Sequence, residues 1–302
     1  MNNFVISLVS AEERRRHIER EFGRNAIPFT FFDAVTPQTN LNDCIRAYLP
    51  NLARVPNLTD GEKACFMSQF LLWKKCVQEK MPYISVFEDD VYLSRHAGTF
   101  LASDEWLKRI GLSGRFIIKL ETVNTPCRTE PFCRIDDGHT LNFLRSDHYG
   151  GGAYILSYQA AEQLVQIVEG LSWKEIEPVD HFLFDAGVYR FAGFIYQLSP
   201  AICIQEIIKS PDSDYMASFL EPARKKKSSI KSRGRFGRNW GASGLGGRKS
   251  GIRRNTAICL VNVFLLTDRA VYAGFSLLLA VQGQRAAVQD VLPCAAAERL
   301  AQ

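Results

Sequence analysis

Glu88, Asp89 and Asp90 form an unbroken run of three carboxylates directly behind the apolar, β-prone stretch Tyr83 to Phe87. A strand that ends in acid at the edge of a core puts hard oxygen ligands where a sheet opens to solvent. That arrangement suits Mg²⁺ or Mn²⁺ holding a phosphorylated substrate. In an extended segment Glu88 and Asp90 face one side and Asp89 the other, so the outer pair is the better candidate for a shared site. Other residues have chemistry at comparable places. Asp33 closes the run Ile27 to Phe32, where a carboxylate either holds a ribose hydroxyl or simply forms a turn. Gly150, Gly151 and Gly152 precede a short apolar run and either permit close backbone approach to a ligand or make a flexible turn. Asp180 follows Pro178 just inside an apolar helical pattern, as a general base at the mouth of a site or as a first-turn acid stabilising the helix. There is no G-x-G-x-x-G, so a dinucleotide is not expected.

These residues need a frame. Phe4 to Val9 reads as a buried strand, and Ser10-x-x-Glu13 is a capping-box pattern predicting a helix through about Phe22, closed by Gly23. With the strand ending at Asp33, this strand, helix, strand opening begins a parallel α/β sheet, whose ligands bind beyond the carboxyl ends of the strands. Residues 34 to 60 are polar and predict an excursion with one short helix at 41 to 49. A crossover helix is expected over 61 to 77, with Cys65 and Cys76 packing rather than reacting. Further along, the patterns predict a helix at 97 to 109 and a strand at 115 to 122 that again ends in a carboxylate. They then predict a hairpin excursion over 123 to 147, a helix at 158 to 169, and a strand at 194 to 204 interrupted by Pro200.

Of 302 residues, 46% are apolar and 23% charged, ordinary values for a globular protein. The eight cysteines include no C-x-x-C pair, and the N-terminus lacks the charged and apolar regions of a secretory signal, which points to reduced thiols in the cytosol. The net charge of +5 conceals an asymmetry: residues 222 to 267 hold twelve Lys or Arg and no acid, leaving 25 bases against 32 acids elsewhere. Such a tail is either a solvated linker or attracted to something anionic, a membrane surface or nucleic acid. Only Phe236 and Trp240 are interleaved with its bases, which argues against nucleic acid bound by stacking. Beyond it, residues 256 to 281 are apolar but broken by Asp268 and Arg269, so an interfacial or disordered tail is expected rather than a membrane span.

Several of these segments together resemble glycosyltransferase family 25, the bacterial lipooligosaccharide galactosyltransferases of the β-1,4 type. They are Phe4 to Leu8 with Glu13-Arg14-Arg15, Pro28 to Ala34, Gly61 to Ser68, Pro82 to Asp90, Gly152 to Ser157 and Pro178 to Asp180. The resemblance covers residues 1 to 206 and implies a single α/β domain over 1 to 221. That domain is GT-A-like with a Rossmann-like nucleotide-binding half, followed by a basic, atypical tail over 222 to 302. It implies transfer of galactose from UDP-galactose, with inversion and with Mn²⁺ or Mg²⁺, to glucose or N-acetylglucosamine of a lipid-linked oligosaccharide. Ser7, Leu8 and Arg14 then lie near the nucleotide and Asp33 near the uridine. Glu88 and Asp90 serve as a D-x-D-like element, with Asp90 on the metal and Glu88 on the metal or ribose. Asp180 is the general base, Asp147 and His148 contact donor sugar or acceptor, and Gly151 and Gly152 admit the ligand. The expected location is cytoplasmic, peripheral on the inner face of the inner membrane, with residues 222 to 254 against anionic lipid. The rival readings are UDP-glucose or UDP-N-acetylglucosamine as donor, or a non-catalytic membrane-surface adaptor. The chain departs from the family pattern twice. Residue 69 is Gln where the family usually has His, and residues from about 239 onward resemble no part of the family, a change that a shifted reading frame accounts for.

Overall fold

The computed structural model describes residues 1 to 211, apart from 137, 186, 188, 189 and 192, together with the two-residue strand Ile258–Cys259. The basic and apolar tail expected over 222 to 302 otherwise lies outside the described residues. Among those described, no helix is long and apolar enough to cross a membrane.

The chain opens with β1 (Asn3–Ser7), α1 (Glu12–Arg24) and β2 (Thr30–Asp33), followed by α2 (Leu41–Tyr48), a 3₁₀ turn (Pro50–Arg54) and α3 (Asp60–Gln78). Next come β3 (Tyr83–Glu88), β4 (Val91–Leu93), α4 (Ala97–Leu101), α5 (Glu105–Arg109) and β5 (Ile117–Lys119). The hairpin β6 (Cys127–Arg134) and β7 (Thr140–Leu144) leads to β8 (Ala153–Ser157), α6 (Tyr158–Gly170) and α7 (Val179–Phe184). β9 (Ile195–Ser199), β10 (Cys203–Gln205) and α8 (Glu206–Lys209) follow, and β11 is the pair Ile258–Cys259.

The main sheet has the order β11-β6-β7-β9-β5-β8-β3-β1-β2. Its opening is parallel as expected, with β1 between β2 and β3. The pattern breaks at β8, which runs antiparallel to both β3 and β5. This reversal matters for the site. Because β8 enters where β3 and β5 leave, Ala153 pairs with Phe87 and Tyr154 with Lys119. The glycines before β8 therefore meet the acidic end of β3 at one edge of the sheet.

Alternate side chains along the strands feed two cores. Val86, Ile117 and Tyr154 join Trp73, Phe66 and Leu164 on the face covered by α3 and α6, while Phe87, Ile118 and Ala153 join Ile18, Phe22 and Phe100 on the other. α3 is the best-anchored helix. Thr59 and Glu62 form a reciprocal capping box, with Glu62 accepting from the Thr59 amide at 2.8 Å and Thr59 Oγ1 from the Glu62 amide at 3.2 Å.

Two local expectations fail for identifiable reasons. The box at Ser10 and Glu13 does not form. The Ala11 amide folds back onto the Leu8 carbonyl at 3.0 Å, so the helix starts at Glu12 with Ala11 as its cap and Ser10 sits one residue too early. Gly23 lies inside α1, and the left-handed residue that turns the chain is Ala26, at φ 52°. The helix expected at 97 to 109 is two, divided at 102 to 104 by Ser103 and Asp104, poor helix formers whose side chains compete for backbone partners.

Candidate functional site at the carboxyl edge of the sheet

The three carboxylates at the end of β3 have different fates. Asp89 is neutralised: its Oδ2 accepts from Ser7 Oγ at 2.7 Å and its Oδ1 from Arg14 Nη1 at 2.5 Å. Glu88 and Asp90 share one neutral donor, the Gln205 side-chain amide, whose Nε2 lies 2.9 Å from Glu88 Oε2 and 3.2 Å from Asp90 Oδ1. One amide does not balance two charges. Burial first, then the charges of Asp90, Glu121, Asp180 and Asp89, push Glu88 up to about 8. Burial raises Asp90 to about 6, held back by Arg14 and the Gln205 bond. The Cys65 thiol donates to the other Glu88 oxygen at 3.8 Å, whereas Cys76 is packed in the core, where burial pushes its thiol up to about 12.

All three carboxylates line a cavity of about 430 Å³, together with Ser7, Leu8, Arg14 and Cys65 among others. Asp89 therefore does not face the opposite side as strand alternation predicts: β3 ends at Glu88 and the next two residues are a turn. The cavity walls are the chain after β1, after β2 and after β3, closed by the first turns of α3. The residues at 7, 8, 14, 88, 89 and 90 thus come together at one cavity. Asp33 does not line the cavity. It is exposed and ion-paired with Arg15, while its neighbours Ala34 and Val35 form the wall. Among the described residues, no group of three or more His, Cys, Asp or Glu could hold a metal ion. A divalent cation still fits the donor set in one mode, in which one or two hard carboxylates bind it and phosphate and water complete the shell. Such an ion would take the place of the proton that Glu88, raised to about 8, otherwise holds at neutral pH.

Beside this pair, a second charged pair braces the glycine loop. Lys119 and Glu121 are both fully buried and bonded at 3.0 Å. Lys119 Nζ donates to the Tyr149 carbonyl at 2.7 Å and to that of Gly150, and sits 4.3 Å from the Phe184 ring centroid of α7. Burial pulls Lys119 below its ordinary value, against the pull of Glu121. Glu121 Oε1 accepts from the Gly152 amide at 2.8 Å, and the Gly152 carbonyl accepts from the Glu88 amide at 2.9 Å. Gly152 therefore joins the two clusters directly.

At two of the three glycines of this loop a side chain would meet its neighbours closely. A Cβ on Gly150, at φ +85°, would fall 2.8 Å from Val123 Cγ1, and one on Gly152 would fall 2.6 Å from Gln205 Cδ. Gly151 lies against Asp180, which is partly exposed in the first turn of α7. Asp147 is exposed. His148 is fully buried, its amide bonded to the Phe184 carbonyl at 2.9 Å, and burial together with the Lys119 charge lowers its ring to about 4.

Sequence reasoning missed Lys119, Glu121 and Gln205. The first two carry a signal, because Lys119-Leu120-Glu121 puts two charges on alternate positions of an otherwise apolar strand. Gln205 carries none, since its partner Glu88 lies 117 residues away.

The model of glycosyltransferase family 25 (LPS biosynthesis protein) matches residues 1–183. The chain belongs to this family and is a glycosyltransferase. A lipooligosaccharide biosynthesis protein, lic2B, of Haemophilus influenzae is 39% identical over 76% of this chain and 85% of its own length. The lacto-N-neotetraose biosynthesis glycosyltransferase LgtB of Neisseria meningitidis serogroup B is 42% identical over 68% of this chain and 76% of its own. Among solved structures, a glycosyltransferase involved in glycosylating the major capsid of PBCV-1 aligns over 76% of this chain and 98% of that one. Its TM-score is 0.36 and its identity 10%, too distant to bear on the site.

Proposed function

We propose that the protein transfers galactose from UDP-galactose, with inversion, to glucose or N-acetylglucosamine of a lipooligosaccharide core, forming a β-1,4 linkage. The observation that carries this reading is the pair Glu88 and Asp90, two carboxylates sharing one amide at the wall of a cavity beyond the strand ends. The names of the relatives support the lipooligosaccharide acceptor. In this reading Glu88 and Asp90 hold Mn²⁺ or Mg²⁺ with the diphosphate, and the ion supplies Lewis-acid stabilisation of the leaving phosphate. Ser7, Leu8 and Arg14 border the nucleotide, and the GT-A-like edge leaves the glycine loop against the sugar. Asp180 takes the proton of the attacking hydroxyl, a role that contributes on the order of 10² to 10⁴ in rate.

Purified protein with Mn²⁺, a panel of UDP-sugars and a glucose-terminated acceptor tests this. UDP-galactose should be the best donor, and Asp90→Asn should lower transfer by at least about 10². Preference for UDP-glucose or UDP-N-acetylglucosamine would reassign the donor, and absence of transfer from every donor would favour the membrane-surface adaptor. The basic residues 222 to 254 are proposed to hold the enzyme on the anionic inner face of the inner membrane. Truncation before Pro222 should lower binding to anionic vesicles while transfer to a soluble acceptor persists, and unchanged vesicle binding would refute the tail's role.

A further inference from the structure

β10 lies outside the main sheet and is held from two sides. It pairs antiparallel with β4, which sets Gln205 opposite Val91, and it bridges to the chain after β5, where the Thr122 amide donates to the Cys203 carbonyl at 3.2 Å. One residue beyond Gln205, the Glu206 amide donates to the Asp90 carbonyl at 2.9 Å. The backbone that carries Gln205 is therefore tied to Asp90 and Val91 themselves.

The side chain of Gln205 then has little freedom. A Cβ on Gly152 would fall 2.6 Å from its Cδ, 2.8 Å from its Cγ and 2.9 Å from its Nε2, so the side chain lies against the bare backbone of that glycine. From there both amide hydrogens are committed, with Nε2 at 2.9 Å from Glu88 Oε2 and 3.2 Å from Asp90 Oδ1. The amide takes one oxygen of each carboxylate and leaves the other, Glu88 Oε1 and Asp90 Oδ2, to further partners. Two groups that repel each other are thus held on a single atom.

We infer that Gln205 is a positioning residue that holds Glu88 and Asp90 together as one preformed site for a divalent cation, and that residue 152 is glycine so that this side chain can reach them. This rests on the transferase reading given above, in which the cation binds that pair. A neutral donor suits the task better than a charged one. Lysine or arginine at 205 would neutralise the pair and remove its demand for a cation, whereas an amide orients both carboxylates and cancels neither. Without the amide no shared donor opposes their repulsion, and Arg14, which lines the same cavity, competes with the cation for Asp90.

The test measures the Mn²⁺ Kd of the full chain by water-proton relaxation in saturating UDP, a readout that needs no turnover. Gln205→Ala should weaken Mn²⁺ by about 10- to 100-fold, the usual cost of losing a group that orients metal ligands. Gly152→Ala, which displaces the amide, should weaken it by a similar factor. The double variant should bind Mn²⁺ no more weakly than Gln205→Ala alone, because both changes act through one side chain. A wild-type Kd in Gln205→Ala, or a tighter one, overturns the inference, and additive losses in the double variant overturn the link to Gly152. Asp90→Asn separates this from the parent reading. If that variant binds Mn²⁺ like wild type, or wild type binds none, the cation assignment itself fails and this one with it. Thermal melts identify a Gln205→Ala protein that has merely unfolded. In that case Gln205→Asn, whose amide is one carbon short of the pair, decides: weaker Mn²⁺ binding upholds the positioning role, and a wild-type Kd refutes it.

Discussion

Two strands deliver acid to the same edge of the sheet, and the protein treats the two deliveries in opposite ways. At the end of β5, Glu121 is matched by Lys119 two residues before it, and both are fully buried. At the end of β3, Glu88 and Asp90 share one neutral amide, Glu88 also accepts from the Cys65 thiol and Asp90 feels the charge of Arg14. Among the described residues neither has an ion-pair partner of its own within the cavity wall. The first cluster spends its charge inside the molecule, on three backbone groups of the loop from Tyr149 to Gly152. The second leaves its charge unspent in a different sense: without a cation, burial and nearby carboxylates raise Glu88 to about 8 and Asp90 to about 6, so the pair holds protons that a cation would displace. Carboxyl groups at strand ends are thus not equivalent evidence of a binding site, and the informative quantity is the charge left over after internal partners are counted.

Removing one member of the compensated cluster should produce the largest stability change. Glu121→Leu leaves a buried ammonium without its counter-charge and the Gly152 amide without an acceptor, a loss of about 3 to 5 kcal/mol. The double variant Lys119→Met, Glu121→Leu should recover part of this and not all, since the carbonyls of Tyr149 and Gly150 also lose their donor. Urea unfolding of the three proteins measures it. If Glu121→Leu unfolds like wild type, the pair is not a structural brace and the contrast with Glu88 and Asp90 collapses.

The contrast also marks what could be seen in the sequence. The opening β1, α1, β2, the long α3, the hairpin β6 and β7 and the acidic end of β3 were legible because each is specified locally, by periodicity or by a run of carboxylates. The reversal at β8 was not. Which way a strand enters a sheet depends on the path of the preceding excursion, and the glycines before Ala153 look the same in either direction. The roles within Glu88-Asp89-Asp90 were half legible. Strand alternation predicts Asp89 on the face opposite Glu88 and Asp90, but β3 ends at Glu88 and all three line the cavity. What sets Asp89 apart is its contacts with Ser7 and Arg14 across 82 and 75 residues. The same holds for Ser7 and Arg14 themselves, which line the expected cavity but also have this internal task.

His148 links the compensated cluster to pH. Its ring is lowered from 6.5 to about 4 by burial and then by the charge of Lys119. The unfolded chain therefore binds this proton more readily than the folded one. Its penalty is absent above pH 6.5 and builds as pH falls toward 4, reaching about 3 kcal/mol. His148→Gln should flatten that part of the stability profile, as read by urea midpoints between pH 4 and 7. A profile as steep as wild type would mean that other groups carry the acid sensitivity.

The smallest effect is the most discriminating, because it asks to which cluster Asp89 belongs. Ser7→Ala removes one charge-assisted hydrogen bond to Asp89 and leaves the Arg14 pair in place, a loss of about 1.5 kcal/mol. For a domain of this size that lowers Tm by about 3 to 6 °C. If Asp89 is spent internally, like Glu121, the cost should appear in Tm, with the Kd for UDP within two-fold of wild type. The opposite pattern, an unchanged Tm with weaker UDP binding, would make Ser7 a nucleotide contact first and would place Asp89 with Glu88 and Asp90 in the unspent group. The leftover charge at the cavity would then be three carboxylates against Arg14 alone, a stronger demand for a cation than the outer pair makes by itself.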